Sequence, residues 1–183
     1  YSSAASDVYK RQVRAKHIIL ASGALERHVA FNNNDIPGVM TVNASRHYLN
    51  RYGILTGNNI VITTNNDSVY QTALELQEAG SKVTILDSRK NVNLDLPKEI
   101  DVHLNTLPFS INGRKKIEGL DVCKATDKNN KNTIICDQVL ISGGWSPIVN
   151  LVSHRGIKPI WNQENLCFVP DDIKENITVV GSA

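Results

Sequence analysis

Short apolar runs alternate along this chain with stretches whose apolar positions recur at helical spacing, and that alternation predicts a mixed α/β fold. Residues 15–21, with Ile18, Ile19 and Leu20 at their centre, read as a buried strand running into the small turn Ser22-Gly23-Ala24. After a loop containing Asn34-Asp35-Ile36-Pro37-Gly38, Thr41 is placed to cap a helix over 42–52 and Gly53 to end it. Residues 59–64 form a strand, 65–68 a turn in which Asp67 or Ser68 can cap the next helix, 69–79 that helix, stopped by Gly80, and 82–87 a second strand. That is one complete βαβ unit. Between Glu99 and Cys136 the pattern becomes one of short strands, with turn signals at Asn112-Gly113 and over 127–130, as in a small antiparallel layer. A buried strand over 138–142 ends in Gly143-Gly144-Trp145-Ser146-Pro147, and the last strand covers 177–180.

Of 183 residues, 41% are hydrophobic and 21% charged, with a net charge of +2. These values belong to globular proteins and exclude the disordered, fibrous and membrane classes. No apolar run approaches the roughly 18 residues of a spanning helix. A charge so near zero, with its basic residues scattered, argues against a nucleic-acid partner. Cys123, Cys136 and Cys167 are too few and too far apart for a disulfide framework, a CxxC pair or a zinc knuckle, so a reducing, cytoplasmic setting is expected. The first dozen residues show neither a hydrophobic period nor the pattern of a signal peptide. Residues 2–12 instead match the in-frame translation of a transposase-based sequencing adapter, so 1–12 are expected to be foreign to the fold, and the protein's own sequence to enter near Val13. The apolar run over 179–183 points to a cut at that end as well.

A dinucleotide site asks for G-x-G-x-x-G at the first turn of a βαβ unit. The glycines let the backbone turn, approach a pyrophosphate and seat the helix, and an acid at the end of the second strand holds ribose hydroxyls. Asp87 stands where that acid belongs. Counting back places the glycine positions at Thr64, Asn66 and Val69, none of them glycine. Asn66 tolerates positive φ, but Val69 crowds the helix–strand contact and Asp67 repels a phosphate. Two readings stay open: a scaffold whose site has degenerated, and a site that binds nucleotide in a modified way. Asp87 and Arg89 are likewise open between a ribose-and-phosphate pair and a solvated ion pair.

Taken in order, a strand with Ala21-Ser22-Gly23-Ala24, the βαβ unit, antiparallel strands, the strand ending in Gly143-Gly144-Trp145, and a last strand with Gly181-Ser182-Ala183 resemble the two-dinucleotide-domain flavoproteins of the disulfide reductase type. More closely, several segments are similar to the alpha subunits of heterotetrameric sarcosine oxidase. They are Ala21 to Arg27, Phe31 with Asn34 to Met40, Tyr48 to Gly53, Thr64 to Ser68, Asp87 to Arg89, and Cys136-Asp137 with Ser142 to Pro147. The resemblance covers essentially all of residues 13–183; His28 departs from the proline expected there.

The resemblance implies a Rossmann-like FAD/NAD(P)-binding fold. Residues 13–57 would be part of a first dinucleotide domain, 58–141 a complete second one with its small antiparallel layer, and 142–183 a return to the first. It implies an oxidoreductase acting on CH–NH donors, in which sarcosine is demethylated to glycine, the one-carbon unit passes to tetrahydrofolate, and electrons pass through flavins to oxygen. It also implies a complex. NAD is carried by alpha, FAD by a beta subunit, FMN lies between the two, gamma and delta are small, and folate chemistry lies outside this segment. Nucleotide binding and subunit docking would be this segment's share, with no catalytic residue carried over. The alternatives are a subunit of a related amine, opine or cyanide-forming dehydrogenase, or a purely structural module.

Residue by residue, Ser22, Gly23 and Ala24 match the strand-end turn that passes near the dinucleotide in such proteins. Gly181, Ser182 and Ala183 match the final turn, where related flavoproteins carry Gly-Asp; with Ser182 in place of that acid, a carboxylate contact is lost. Both turns are open between nucleotide contact and structural strand ends, as Trp145 is between stacking on a ring and packing domains together. His17, His28, His47, His103 and His154 show no metal spacing, and Cys136 reads as core.

Overall fold

The computed structural model describes residues 13–93, 100–171 and 176–182; the adapter-like segment 1–12 and Ala183 lie outside the described residues. In chain order the first elements are β1 (Ile18–Leu20), β2 (Ala24–Glu26), β3 (Val39–Thr41), α1 (Val42–Tyr52), β4 (Asn59–Thr64), α2 (Val69–Glu78) and β5 (Lys82–Asp87). There follow β6 (Asp101–Leu104), β7 (Thr106–Gly113), β8 (Ile117–Lys124), β9 (Asp127–Ile134) and β10 (Gln138–Ser142). The last are β11 (Trp145–Pro147), α3 (Asn150–Ser153), β12 (Pro159–Asn162), β13 (Cys167–Pro170) and β14 (Ile177–Val179). The described residues group into two units, one from those within 1–24 and 147–183, the other from those within 25–146.

The larger unit is built on a five-stranded parallel sheet in the order β3-β10-β4-β5-β6. Parallel strands carry helices or further layers on both faces, so they are apolar throughout rather than at alternate positions. Neighbouring residues accordingly serve two separate cores. Ile60, Ile62, Val83, Ile85 and Leu140 pack with Val42, Val69, Tyr70, Ala73 and Leu76 of α1 and α2. Val61, Leu86 and Val139 face the other way, against Ile111, Ile117, Leu120 and Val122. Those four belong to the antiparallel sheet β7-β8-β9, the small layer anticipated from the pattern.

Two details differ from expectation. β6 joins the parallel sheet through β5, and residues 127–130 begin a strand rather than a turn, the reversal falling at Ala125-Thr126. The polar run 127–133 suggests a loop because β9 is an edge strand with almost every residue exposed, where charged and polar side chains discourage pairing with another chain. β3 and α1, from the stretch assigned to a first domain, pack in this larger unit.

Thr41 Oγ1 caps α1 by accepting from the Ala44 amide, Glu26 Oε2 accepts from the Asn43 amide, and Gly53 closes the helix in the left-handed conformation. Arg46 of α1 donates two hydrogen bonds of 2.8 Å to the two oxygens of Glu75 on α2. Those bonds hold the Glu75 carboxyl below its ordinary value of 4.5. A depressed folded value adds stability that is present above 4.5 and lost as pH falls below it. Both side chains are partly exposed, so Glu75→Gln should cost only about half a kcal/mol at neutral pH and nothing near pH ~3, as read by urea unfolding at the two pH values.

In the smaller unit β1 and β14 form a two-stranded parallel sheet, and β12 and β13 an antiparallel hairpin fastened by Trp161 edge-on to Phe168. This hairpin escapes the sequence pattern because its strands are four residues each. β1 is not the buried strand expected of it. Among the described residues it pairs with β14 alone, which leaves Ile19 67% exposed. β2 and β11 form a further two-stranded sheet. Among the described residues no helix is long and apolar enough to cross a membrane.

Candidate functional site

Because β1 and β14 run parallel with Leu20 opposite Val179, the turns that follow them leave the same end of the sheet. The Val180 amide donates to the Leu20 carbonyl at 2.9 Å, which brings Ser22-Gly23-Ala24 and Gly181-Ser182 side by side. The first turn is held from below. Ser22 Oγ donates to the Ile148 carbonyl at 3.0 Å, and the Ile148 amide donates to the Gly23 carbonyl at 3.0 Å. Gly23 has φ +72° and Gly181 +78°, conformations that cost an L side chain about 1 kcal/mol or more. Among the described residues, each glycine's two chain neighbours aside, no heavy atom lies within 4 Å of the place a Cβ would occupy at either glycine, so both backbones can be approached closely. Ala183, the last residue of the second turn, lies outside the described residues.

The crossover turn of the βαβ unit is a different kind of place. Thr64, Ser142 and Asp87 lie in register at the carboxyl ends of β4, β10 and β5, where an α/β sheet presents ligands. Here the chain's own groups fill the positions. Thr64 Oγ1 accepts from the Asn66 amide at 3.1 Å, and Asn66 Oδ1 accepts from the Ser68 amide at 3.1 Å and from Ser68 Oγ at 2.6 Å. Neither Asp67 nor Ser68 caps α2 with its side chain; Asn66, one residue earlier, satisfies the Ser68 amide. Asn66 Nδ2 also reaches the Ser142 carbonyl and hydroxyl, both at 3.2 Å. Trp145 donates its indole N–H to Ser68 Oγ at 3.0 Å.

Asp87 and Arg89 are partners of each other rather than a solvated pair. Asp87 is fully buried. Its Oδ1 accepts from the Arg89 amide at 2.9 Å and from Nε at 3.0 Å, while Oδ2 accepts from Arg89 Nη2 at 2.8 Å and from the Tyr70 hydroxyl at 2.9 Å. Arg89 Nη2 also meets Asp67 Oδ1 at 2.6 Å. A guanidinium between two carboxylates is the fork that carboxylate geometry favours. The tyrosine and the second acid of this cluster are not separable from ordinary core and turn residues by sequence; the spacing of Tyr70 and Asp87 across one βαβ crossover is the only signal the chain offers.

Of the histidines, His17 Nε2 lies 2.8 Å from Thr178 Oγ1 and His103 Nε2 2.9 Å from Asp101, and among the described residues no group of three or more His, Cys, Asp or Glu could hold a metal ion. Cys123, Cys136 and Cys167 are free and buried, as expected for Cys136. Burial, and then the Asp137 carboxylate, push the Cys136 thiol up to about 11. Thiolate, not thiol, is the reactive form, so the native chain should stay unlabelled by a thiol-specific disulfide reagent at mildly alkaline pH and label at all three cysteines once unfolded. Fast native labelling at Cys136 would contradict this.

No family model matches the chain. It is 36% identical over 173 residues to the alpha subunit of sarcosine oxidase from Rhizobium meliloti (strain 1021), covering 94% of this chain and 17% of that protein. It is 33% identical over 179 residues to the sarcosine oxidase alpha subunit of Corynebacterium sp. (strain U-96), covering 93% and 18%. An opine oxidase subunit of Rhizobium meliloti is 25% identical over 185 residues, covering 87% and 35%. The chain thus spans under a fifth of the length of the sarcosine oxidase subunits it matches.

Among solved structures it is similar to the thioredoxin reductase of T. acidophilum (TM-score 0.69, 19% identity, 92% of this chain and 57% of that one). It is also similar to L-proline dehydrogenase from P. horikoshii (0.66, 22%, 92% and 30%). A third is an FAD-dependent pyridine nucleotide-disulphide oxidoreductase from Desulfovibrio vulgaris (0.62, 15%, 93% and 46%). At these identities the likeness is one of fold, and the chain has no CxxC pair of its own. By sequence and fold together, the chain is a relative of one segment of the sarcosine oxidase alpha subunits, built on a Rossmann-like FAD/NAD(P)-binding oxidoreductase fold.

Proposed function

We propose that this chain is a segment of the alpha subunit of a sarcosine-oxidase-like complex, and that its two strand-end turns, Ser22-Gly23-Ala24 and Gly181-Ser182-Ala183, contact a dinucleotide. The observation that carries the reading is the parallel pairing of β1 with β14, which sets two glycine turns with open approaches at one carboxyl edge. Small residues there let the backbone come close to a ligand. NAD is the favoured ligand because the resemblance places it in the alpha subunit; FAD is the other candidate, since the turns themselves do not distinguish the two: Ser182 offers a hydroxyl where an acid would select a sugar hydroxyl. The whole protein's chemistry, in this reading, is oxidation of a secondary amine such as sarcosine, with transfer of the one-carbon unit to tetrahydrofolate. A flavin-bearing beta partner, with FMN between, and small gamma and delta subunits complete the complex. The domain reading, with 13–57 and 142–183 as parts of one dinucleotide domain and 58–141 as the second, belongs to the same proposal.

Membership of an opine-oxidising enzyme is the second reading, favoured by the likeness to the opine oxidase subunit. Turnover of sarcosine against an opine by the complex purified with this chain separates the two.

Gly23→Ala tests the turn. Its methyl would stand in open space in the path of a ligand, so NAD affinity should fall about tenfold, or 1.4 kcal/mol. Gly53→Ala is the control, with φ +66° and equally open surroundings but far along the chain from either turn; it carries the same backbone strain and should leave affinity unchanged. Equal losses from both variants, measured by equilibrium dialysis, would sink the assignment.

A further inference from the structure

We infer that the crossover turn between β4 and α2 is closed to nucleotides by the chain's own side chains, and that it tethers the return strands β10 and β11 instead. The inference rests on the proposed function only in taking a dinucleotide as the ligand to be tested.

A turn of this kind holds a pyrophosphate through three provisions: backbone N–H groups free to donate, a helix N-terminus without a competing anion, and an unengaged acid at the end of the second strand. Each is taken up here. The Asn66 and Ser68 amides, two donors that would face a phosphate, already donate to Thr64 Oγ1 and Asn66 Oδ1. The Tyr70 amide donates to the Asp67 carbonyl. The Asp67 carboxylate stands at the N-terminal end of α2, in the place of an anionic ligand, and Arg89 neutralises it at 2.6 Å. Asp87, which would hold a ribose, has both oxygens committed to Arg89 and Tyr70 and no exposed surface. A dinucleotide would have to break a buried ion pair to reach it, and breaking such a pair is costly.

The same side chains have a positive task. Asn66 Nδ2 donates to the carbonyl and hydroxyl of Ser142, the last residue of β10, and Ser68 Oγ accepts the indole N–H of Trp145, the first residue of β11. Asn66, at one of the glycine positions, and Ser68, two residues on, therefore bind the chain where it leaves the sheet.

Backbone amide resonances of the full chain, followed as NAD and then FAD are added in millimolar excess, test the inference. The Asn66, Ser68 and Arg89 amides are expected to stay in place. Movement confined to Gly23 and Gly181 supports both this inference and the proposed function. Movement at none of the five supports closure of the crossover turn and counts against the proposed function alone. Saturable movement of Asn66, Ser68 or Arg89 overturns the inference, whatever Gly23 and Gly181 do. A second measurement needs no ligand: Asn66→Ala should release the Ser68 amide and speed its hydrogen exchange about tenfold. An unchanged rate would show that Asn66 does not occupy that donor.

Discussion

Replacing Arg89 by methionine is expected to destabilise the larger unit by about 3–5 kcal/mol, the cost of leaving a buried charge without its partner. Methionine keeps most of the apolar stem and removes the guanidinium, so packing changes little and the electrostatic loss dominates. The loss falls on Asp87, which is 0% exposed, and hardly on Asp67, which water can solvate. Urea unfolding of the full chain measures it. A loss below about 1 kcal/mol, the range of surface pairs, would mean that water already reaches Asp87. Asp87→Asn in the Arg89→Met background should recover part of the loss, because the neutral amide needs no counter-ion.

Tyr70 extends the same prediction to pH. Burial, followed by its hydrogen bond to Asp87, raises the phenol well above its ordinary value of 10.0. The fold favours the protonated phenol, so its contribution is intact below pH 10.0 and is lost as pH rises beyond that value. Tyr70→Phe should remove this alkaline dependence while costing about 1–3 kcal/mol at neutral pH, through the Asp87 oxygen left short of a donor.

Much of this fold is legible in the sequence, and the reason is local. α1 is written by Thr41, an apolar stripe and Gly53, and the strands 59–64, 82–87 and 138–142 by apolar runs of a length that only buried parallel strands use. The edges are harder. β9 is polar because it is an edge, and Ile18-Ile19-Leu20 is apolar because of the kind of sheet it belongs to, although β14 is its only partner among the described residues. The site is legible as positions but not as pairings. Asp87 is where a ribose acid belongs, and no one-dimensional pattern says that Arg89, two residues on, folds back to take both its oxygens while Tyr70 reaches it across a helix. The turn pair at β1 and β14 becomes visible only when two segments some 160 residues apart prove to be neighbours.

Leu140→Ala should cost about 3–5 kcal/mol, because Leu140 is completely buried on β10, an interior strand between β3 and β4, and the cavity left behind has strands on both sides that cannot collapse into it. Val139→Ala, one residue away, removes fewer methyl groups and should cost roughly 2 kcal/mol. The two side chains point to opposite cores, Leu140 towards Val69, Ala73 and Leu76 and Val139 towards Leu120 and Val122. Two independent cores would melt separately, and each substitution would shift only its own transition. A shared sheet predicts otherwise. β4, β5 and β10 each place buried residues in both cores, so the helical layer and the layer of β8 are coupled through the same three strands. Both variants should therefore lower one transition, seen alike by far-ultraviolet circular dichroism and by Trp145 fluorescence with Trp161 replaced by phenylalanine. A Leu140→Ala melt that splits into two steps would show that the antiparallel layer stands without the helices, and the larger unit would then consist of two cooperative parts.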